Sequence, residues 1–324
     1  DVYKRQILNN YPQSSFVISL DFELFWGVIN SRSVDDYQKN VVNVKDVIPA
    51  ILNVFHEYEI RATWATVGSI LCEDFNHWEE LIERYYFKSS IFENNEIKST
   101  IKNNPHLFFS RELVKLILNS SGQEIASHTF GHYELEKKMN FSQNFKKDMI
   151  LNNMIMRDNH INPKSLVFPK NIINKALLDS LPELGIMAFR GNQNHFIYRN
   201  GDTVPFGIVG KGFRYLDSSF NLSGLNSQKI VFDKGIINIP SSYFLRPIVG
   251  SNSKNRLNSL RLKRIKNQMS HAAKTDSLFH LWWHPHNFGS DLNENIYFLK
   301  QVLDHFLDLK SEYGMASLNM QDFT

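Results

Sequence analysis

Two acidic residues, Asp21 and Glu23, lie at the end of the apolar segment FVISLDFELFWGV, residues 16–28. Such a segment is typical of a buried strand, and ionised carboxylates are rarely buried alone because their desolvation is costly. A cation or a set of hydrogen bonds must therefore compensate them. Because alternate residues of a strand face the same side, both acids can reach one site.

Histidines follow two other apolar segments at spacings that suit metal binding or proton transfer. His128 and His132 occur in SHTFGH after QEIAS. One helical turn would put both imidazoles on one side, within the ~2.0–2.1 Å of a shared ion. His284 and His286 occur in WWHPHNFG after LFHLWW. Because the chain has 12 histidines, a pair four residues apart can arise by chance, so a surface or capping role for it stays open.

Lys170 and Asn171 follow the segment SLVFP, so polar residues end four apolar segments. In α/β barrels, functional residues collect at the carboxyl ends of the strands. Two histidines and one carboxylate also leave one coordination position free, which is typical of catalytic zinc. Together these positions predict a metal and acid–base site.

Short β-like segments alternate with helical ones along the chain, which predicts a largely parallel α/β sheet or barrel. We expect about seven strands, fewer than the eight of a regular (β/α)₈ barrel. The predicted strands cover residues 16–20, 61–67, 123–127, 165–168, 186–189, 236–239 and 278–283, with 316–318 as a candidate for the last one. The predicted helices cover residues 44–58, 112–118, 144–158, 175–184, 258–273 and 293–310.

A single domain is expected over residues 1–324, because no repeat or low-complexity linker divides the chain. Residues 74–109, rich in aromatics and Asn, are interpreted as an insertion near the strand ends, and the polar, Gly-rich residues 191–235 as irregular or hairpin-like. The basic residues 256–266, RLNSLRLKRIK, are typical of a solvated amphipathic helix. Contact with an anionic or membrane surface is the alternative for this helix.

The composition indicates a globular protein, with 42% hydrophobic and 13% aromatic residues. A net charge of +3 with interspersed charges predicts no nucleic-acid partner. Cys72 is the only cysteine, which excludes an intrachain disulfide. No integral membrane segment is expected, because no apolar stretch approaches ~20 residues. The first residues lack a signal-peptide core, which favours a cytoplasmic location unless a leader precedes them, and the oligomeric state stays open.

The segments SLDFE, SHTFGH, VFPKN and LWWHPH, in this order and at these separations, resemble the signature segments of a known family. This family is the polysaccharide deacetylases, the NodB-homology group of carbohydrate esterases, and the resemblance spans about residues 14–320. It implies a distorted (β/α) barrel with about seven strands. It also implies a metal-dependent hydrolase that removes the N-acetyl group from an N-acetylated sugar in a polysaccharide or glycan precursor.

The resemblance assigns a role to each residue of the predicted site. Asp21 is implied as the general base that takes a proton from water, and His284 as the general acid that protonates the leaving amine. The metal ligands are implied to be Glu23, His128 and His132, with zinc as the expected ion. A carboxylate base and a histidine acid suit this chemistry near neutral pH. Which of the two acids binds the metal, and whether His286 replaces His284, stay open.

The chain departs from the usual family pattern in two segments. Phe22 separates the two acids, which are adjacent in most members and spaced as acid-x-acid in one branch. The third segment usually has an Arg that orients the base, and here Lys170 or the later Arg190 would have to serve. Lys cannot replicate a guanidinium fork, so a non-catalytic glycan-binding module is one alternative. A barrel hydrolase for another non-peptide carbon–nitrogen bond, such as a cyclic amide, is the second.

Candidate substrate contacts are polar or aromatic residues near the predicted strand ends. Trp26 directly follows the acid pair and could line a groove, although tryptophans, including Trp282 and Trp283, more often belong to a core. Tyr243 and Arg246 could contact sugar hydroxyls or an anionic group, with structural roles equally open. The candidates are Trp26, Trp64, Asn171, Tyr243 and Arg246.

Overall fold

The segment that contains the two acids forms strand β1 (Ser15–Phe22), and all eight of its residues are buried. It pairs in parallel with β9 (Leu278–Trp283) on one side. On the other side, β10 (Ala316–Leu318) pairs with the first residues of β1 and β2 (Ala62–Thr66) with the rest. β1 is therefore enclosed by neighbours along both of its edges.

A computed structural model describes residues 14–85, 92–134, 141–195, 198, 207–220, 223–225, 227–233, 235–250 and 256–324. Besides the four strands above, these residues form β3 (Gln123–Ser127), β4 (Ser165–Leu166), β5 (Ala188–Phe189), β6 (Val231–Asp233), β7 (Ile236–Asn238) and β8 (Tyr243–Phe244). The strand order is β6-β7-β5-β4-β3-β2-β1-β9-β8, with β10 beside β1. All neighbours pair in parallel except β6 and β7.

This mostly parallel sheet with surrounding helices confirms the predicted distorted (β/α) barrel. An isolated antiparallel bridge between Gln228 and Leu278 brings the chain before β6 against β9, so the two ends of the sheet approach each other. The count of about seven strands is wrong, because the described residues form ten. β6 and β8, the two unpredicted strands, have three and two residues, too few for an alternating pattern to be recognised.

The α-helices of the described residues are α1 (Val34–Val42), α2 (Val44–Glu57), α3 (Phe75–Tyr85), α4 (Asn95–Asn103), α5 (Arg111–Leu118), α6 (Phe141–Asp158), α7 (Lys175–Leu178), α8 (Gly207–Phe220), α9 (Arg256–Lys274) and α10 (Leu292–Tyr313). The apolar spacing of α2 indicates why these segments are helical. Its buried residues are Val44, Val47, Ile48, Ile51, Leu52, Val54 and Phe55. They form one continuous face against the sheet, as their spacing predicts.

Six predicted helices are confirmed with ends shifted by a few residues, although the segment 175–184 is divided. It forms the short α7 and then a 3₁₀ turn, Pro182–Leu184, which ends at Gly185 in the left-handed conformation. α1 was not predicted. Its nine residues follow the N-cap Ser33, whose side chain accepts a hydrogen bond from the Asp36 amide.

The segment interpreted as an insertion and the segment interpreted as irregular or hairpin-like both contain regular structure. Residues 74–109 include α3 and α4, and Trp78 of α3 is fully buried against the ring of Trp26 at 5.5 Å between centroids. Part of this segment therefore packs in the core, and its interpretation as an insertion near the strand ends stays a prediction. The described part of 191–235 includes α8 and β6.

The basic helix α9 is only partly solvated, which corrects the prediction for residues 256–266. Arg261 and Arg264 are buried, with 8% and 5% of their surface exposed. Arg264 pairs with Asp217 of α8 at 2.9 Å, so a carboxylate from another element compensates the buried charge. None of the described helices is long and apolar enough to span a bilayer.

The structure places two predicted substrate contacts, Trp26 and Trp64, in the core rather than at a surface. Trp26 is 1% exposed and its indole N–H donates to the Phe108 carbonyl oxygen at 2.8 Å. Trp64 is fully buried in β2 and donates to the Gln123 amide oxygen at 3.0 Å. Their hydrogen bonds are satisfied inside the protein, which is why both indoles can be buried.

We predict that Trp64→Ala lowers the free energy of unfolding by about 3–5 kcal/mol, because it leaves a large cavity in the core. Urea unfolding followed by circular dichroism measures this change. Leu118→Ala is the control, since Leu118 is 39% exposed and its truncation should change stability by about 0.5 kcal/mol or less. Unchanged stability together with weakened sugar binding in Trp64→Ala would instead restore its assignment to the substrate.

Candidate active site

The predicted metal ligands converge at the carboxyl ends of β1 and β3. Glu23 Oε2 lies 3.3 Å from His128 Nε2 and 3.1 Å from His132 Nε2. One candidate ligand atom from each of the three residues lies within 4.8 Å of the other two. All three side chains are buried. The structure thus brings together residues that are more than 100 positions apart in the chain.

The turn that carries the two histidines is irregular, not the single helical turn that their spacing suggested. Thr129 and His132 have left-handed backbone conformations, with φ of 65° and 51°. The carboxylate of Asp148 on α6 accepts hydrogen bonds from the amides of Phe130 and Gly131, at 2.7 to 3.2 Å. This buried carboxylate fixes the turn so that both imidazoles point to Glu23. No motif marks Asp148 in the sequence, and only the fold reveals it.

The protonation of His128 indicates that the three residues fit a cation. Its Nδ1 lies 2.7 Å from the Val167 carbonyl oxygen, which can only accept, so Nδ1 carries the proton. In the neutral imidazole, Nε2 then carries a lone pair that can bind a cation, and it lies 3.3 Å from the Glu23 carboxylate oxygen. A divalent cation can therefore be shared by these two groups, and a set of two imidazoles and one carboxylate suits zinc.

Electrostatics keep Glu23 ionised and able to bind a cation. Burial alone would raise the pKa of its carboxyl group, but His284, His128 and His132 outweigh burial and hold the pKa well below its usual value. The carboxylate is therefore charged at neutral pH. A buried negative charge of this kind needs a positive partner.

Asp21 is held by a guanidinium fork from Arg190, which follows β5. Arg190 Nη1 donates to Asp21 Oδ1 at 2.7 Å and Nη2 donates to Oδ2 at 2.8 Å. Arg190 also donates to Ser19 Oγ at 2.9 Å and to Asn171 Oδ1 at 2.8 Å. Burial raises the pKa of Asp21, but the charge and hydrogen bonds of Arg190 outweigh it, so the net pKa is below its usual value.

The structure distinguishes between the two candidates for orienting Asp21. Lys170 points elsewhere and pairs with Glu134 at 2.5 Å. Asn171, a predicted substrate contact, instead supports Arg190 with its side-chain oxygen. The guanidinium of Arg190 also lies 4.3 Å from the ring centroid of Trp282, which fixes its plane. Arg190 therefore provides the bidentate geometry that a lysine cannot.

The two histidines after β9 have different environments. His284 Nε2 lies 3.5 Å from Glu23 Oε1 and 3.8 Å from Asp21 Oδ2, and its side chain is 24% exposed. His286 stacks beneath it, with ring centroids 5.1 Å apart, and is buried. Burial and, to a smaller extent, the charge of the nearby His284 lower the pKa of His286 to about 3. His286 is therefore neutral near pH 7.

A cavity of about 700 Å³ opens at this site, with Asp21, Glu23 and His284 in its wall. Tyr243 and Arg246 line it, as expected of substrate contacts. Trp26 and Trp64 are not among the described residues that line it. The unpredicted lining residues include Tyr37, Phe244, Arg264 and Trp282.

The alternation of side chains along β9 could have identified Trp282 from the sequence. Trp282 is two residues before His284, so both face the same side of the strand, whereas Trp283 faces the opposite side. The structure agrees, because Trp283 is fully buried and stacks on Phe288 in the core. Trp282 is therefore the tryptophan placed to contact a ligand in the cavity.

Comparisons with known proteins confirm the predicted family. Residues 32–189, just under half of the chain, match the family model described as polysaccharide deacetylase. This range contains His128 and His132, whereas the fold adds Asp21, Glu23 and His284 from outside it. No curated protein matches the chain significantly in sequence.

Solved structures at low sequence identity share the fold. A protein from Mycobacterium smegmatis assigned as a polysaccharide deacetylase is 12% identical and has a TM-score of 0.58, with 97% of this chain and 90% of that chain covered. One with the same assignment from Pseudomonas aeruginosa PAO1 is 9% identical, with a TM-score of 0.56 and coverage of 96% and 90%. The PuuE allantoinase is 9% identical, with a TM-score of 0.54 and coverage of 96% and 89%.

We predict that Gly27→Ala weakens zinc binding at least about tenfold, comparable to the loss of a residue that supports a ligand. A Cβ atom at position 27 would overlap the Glu23 carboxylate, so this ligand would have to move. Calorimetric titration of the metal-free protein with Zn²⁺ measures the affinity. Gly212→Ala is the control, because a Cβ atom there has no neighbouring atom within 4 Å. Equal zinc affinity in the two variants would contradict the assignment of Glu23.

We predict that Asp148 makes the protein less stable as the pH rises. Burial raises the pKa of Asp148 to about 7 in the folded protein, above its usual value of 3.8. The stabilising contribution is complete below pH 4 and is lost as the pH rises through 7. Relative to Asp148→Asn, which does not titrate, the parent should lose on the order of 2 kcal/mol between pH 5 and pH 7.

Urea unfolding of both proteins at each pH, in the presence of a chelator, measures this difference in stability. All other titrating groups are common to the two proteins, so their difference isolates Asp148. A difference that is constant with pH would contradict the raised pKa.

Proposed function

We propose that this chain, a member of the polysaccharide deacetylase family over residues 32–189, is a metal-dependent amidohydrolase. It removes the N-acetyl group from an N-acetylated sugar in a polysaccharide or glycan precursor. The observation that carries the proposal is the convergence of Glu23, His128 and His132 in one cleft. Beside them lie Asp21, clamped by Arg190, and the partly exposed His284.

Glu23, His128 and His132 hold the divalent metal, for which zinc is the expected ion. When bound, the metal makes water more acidic and polarises the acyl carbonyl group of the substrate. The Val167 carbonyl oxygen supports this role, because it fixes the His128 tautomer with Nε2 free to bind. All three ligands are buried, which strengthens their electrostatic attraction for a cation.

Asp21 acts as the base that accepts a proton from the attacking water. Its lowered pKa keeps it ionised at neutral pH, so it can accept a proton as soon as the reaction begins. A carboxylate has about four lone-pair sites, and the two bonds from Arg190 leave others available. The fork of Arg190 holds the carboxylate in one orientation, which reduces the rearrangement needed for proton transfer.

His284 acts as the acid that protonates the departing amine. Its Nε2 faces both carboxylates and its side chain reaches the cleft, where a leaving group would lie. The buried, neutral His286 is unsuited to this role, because a pKa of about 3 leaves almost no proton to donate near pH 7. The proposed acid, His284, and the proposed base, Asp21, are therefore different residues. His284 Nε2 lies 3.8 Å from Asp21 Oδ2.

The alternatives from the sequence predict different assay results. The absence of an arginine in FPKN suggested a non-catalytic glycan-binding module, but Arg190 supplies the missing fork from β5. Acetate release from N-acetylhexosamine oligomers supports the proposed reaction. Ring opening of a cyclic amide without acetate release would favour the other carbon–nitrogen hydrolase. A cytoplasmic location stays a prediction.

We predict that His128→Ala abolishes zinc retention and lowers acetate release by at least about 10³-fold, because two ligands cannot hold the ion that activates water. Elemental analysis of the purified protein and an enzymatic acetate assay measure the two effects. His56→Ala on the exposed side of α2 is the control and should keep both properties. Full acetate release by His128→Ala would contradict the proposed function.

A further inference from the structure

We propose that the end of the cleft away from the metal ligands binds a phosphoryl group carried by the sugar substrate. This inference rests on the proposed function and specifies its substrate class. Five residues define this part of the cavity, which we call the arginine end: Tyr198, Arg214, Tyr243, Arg246 and Arg264.

The charges of the cavity are unevenly distributed. Three arginines line the arginine end. Of the described residues that line the cavity, the carboxylates are Asp21 and Glu23, and both lie at the reaction centre. A ligand that spans the cleft therefore meets acids and imidazoles at one end and guanidinium groups at the other.

Arg264 is built into this surface rather than solvated. It is 5% exposed, and its Nη2 donates to Asp217 Oδ2 and Ser223 Oγ, each at 2.9 Å. Its Nε and Nη1 have no hydrogen-bond partner among the described residues. Unused donors on a buried guanidinium are costly, and the oxygens of a phosphoryl group in the adjacent cavity would accept hydrogen bonds from them.

Asp217 orients this arginine and the neighbouring tyrosine. Its carboxylate accepts hydrogen bonds from the Tyr198 hydroxyl at 2.6 Å and from the Ser223 amide and hydroxyl at 2.6 and 2.9 Å, besides that from Arg264. One carboxylate therefore fixes the wall of the arginine end. It does so from behind the cavity, since Asp217 is itself fully buried.

The two tyrosines at this end lie within the electric field of the same arginines. Burial raises the pKa of Tyr243 to about 12, and the positive charges of Arg264, Arg261 and Arg246 oppose that rise. Arg264 and Arg246 act in the same direction on Tyr198. Two guanidinium groups from α9 and from the segment after β8 therefore converge on one region.

The distance from the reaction centre suits a group on the sugar whose amide is cleaved. The Phe244 ring lies 5.9 Å from the His284 ring and 5.7 Å from the guanidinium carbon of Arg246. Arg246 is thus no farther from His284 than the sum of these distances, a span that one pyranose ring with its acetamide and phosphate substituents can bridge. Trp282, 4.6 Å from Phe244, completes an aromatic wall along this path.

A phosphoryl group fits this end better than a single carboxylate. Guanidinium groups bind phosphate oxygens in bidentate pairs, and a phosphate monoester or diphosphate offers enough oxygens and charge for more than one arginine. Sugar phosphates, nucleoside diphosphate sugars and lipid diphosphate sugars share this chemistry. The substrate class is therefore an N-acetylated sugar that bears a phosphate or diphosphate.

The test compares the zinc-loaded enzyme on N-acetylglucosamine, its 1-phosphate and its 6-phosphate, with acetate release as the readout. We expect kcat/KM to be at least about tenfold higher for one of the phosphates. In Arg246→Gln this preference should fall below about twofold, and Arg246→Lys should restore part of it. Arg157→Gln on the exposed side of α6 is the control and should keep the full preference.

Further arms identify the source of the phosphoryl group and separate the two hypotheses. Uridine diphosphate N-acetylglucosamine and a short-chain prenyl diphosphate N-acetylglucosamine compare nucleotide and lipid carriers, and preference for either supports the proposal.

Equal kcat/KM for phosphorylated and plain sugars, or preference for a uronic acid, overturns the proposal. If no substrate releases acetate, calorimetric binding of the same sugars still decides whether Arg246 selects the phosphate, while the proposed function fails separately.

Discussion

Two negative charges at the end of the buried central strand must be compensated. The fold compensates each of them in a different way, and this difference determines the arrangement of the site. Asp21 receives a guanidinium fork from Arg190, whereas Glu23 receives two imidazoles whose geometry suits a cation. Both acids face the same side of β1 because they are two residues apart. The charge of Asp21 is thereby neutralised within the protein, and the charge of Glu23 is left for a metal ion to neutralise.

The parallel sheet explains why distant segments supply these partners. Parallel strands present their carboxyl ends at one edge, so the residues after β3, β5 and β9 meet those after β1 without long connections across the barrel. β1 pairs directly with β9, which brings His284 to both acids. Arg190 comes from farther along the sheet, and a long side chain is required to reach Asp21.

The acids, the His128/His132 pair and the strands that position them could be predicted because each is a local anomaly, a polar residue where an apolar segment ends. The choice between Lys170 and Arg190 could not, because it depends on which side chain reaches Asp21 across the sheet. The burial of Arg264 could not be predicted from the sequence either, because its partner Asp217 lies on another helix. Trp26 and Trp282 were indistinguishable by composition, but the alternation along β9 carries the information that separates them.

The pair His284 and His286 shows how the fold makes two similar residues different. Both would face one side of an extended strand, yet the 3₁₀ turn Pro285–Phe288 carries His286 inward beneath Tyr37, 5.5 Å from its ring. Burial there lowers the pKa of His286 to about 3, so His286 stays neutral near neutral pH. His284, which faces both Asp21 and Glu23, is therefore the imidazole of this pair that is placed to exchange a proton in the cleft. This arrangement suits a reaction in which one group accepts a proton from water and another delivers a proton to an amine.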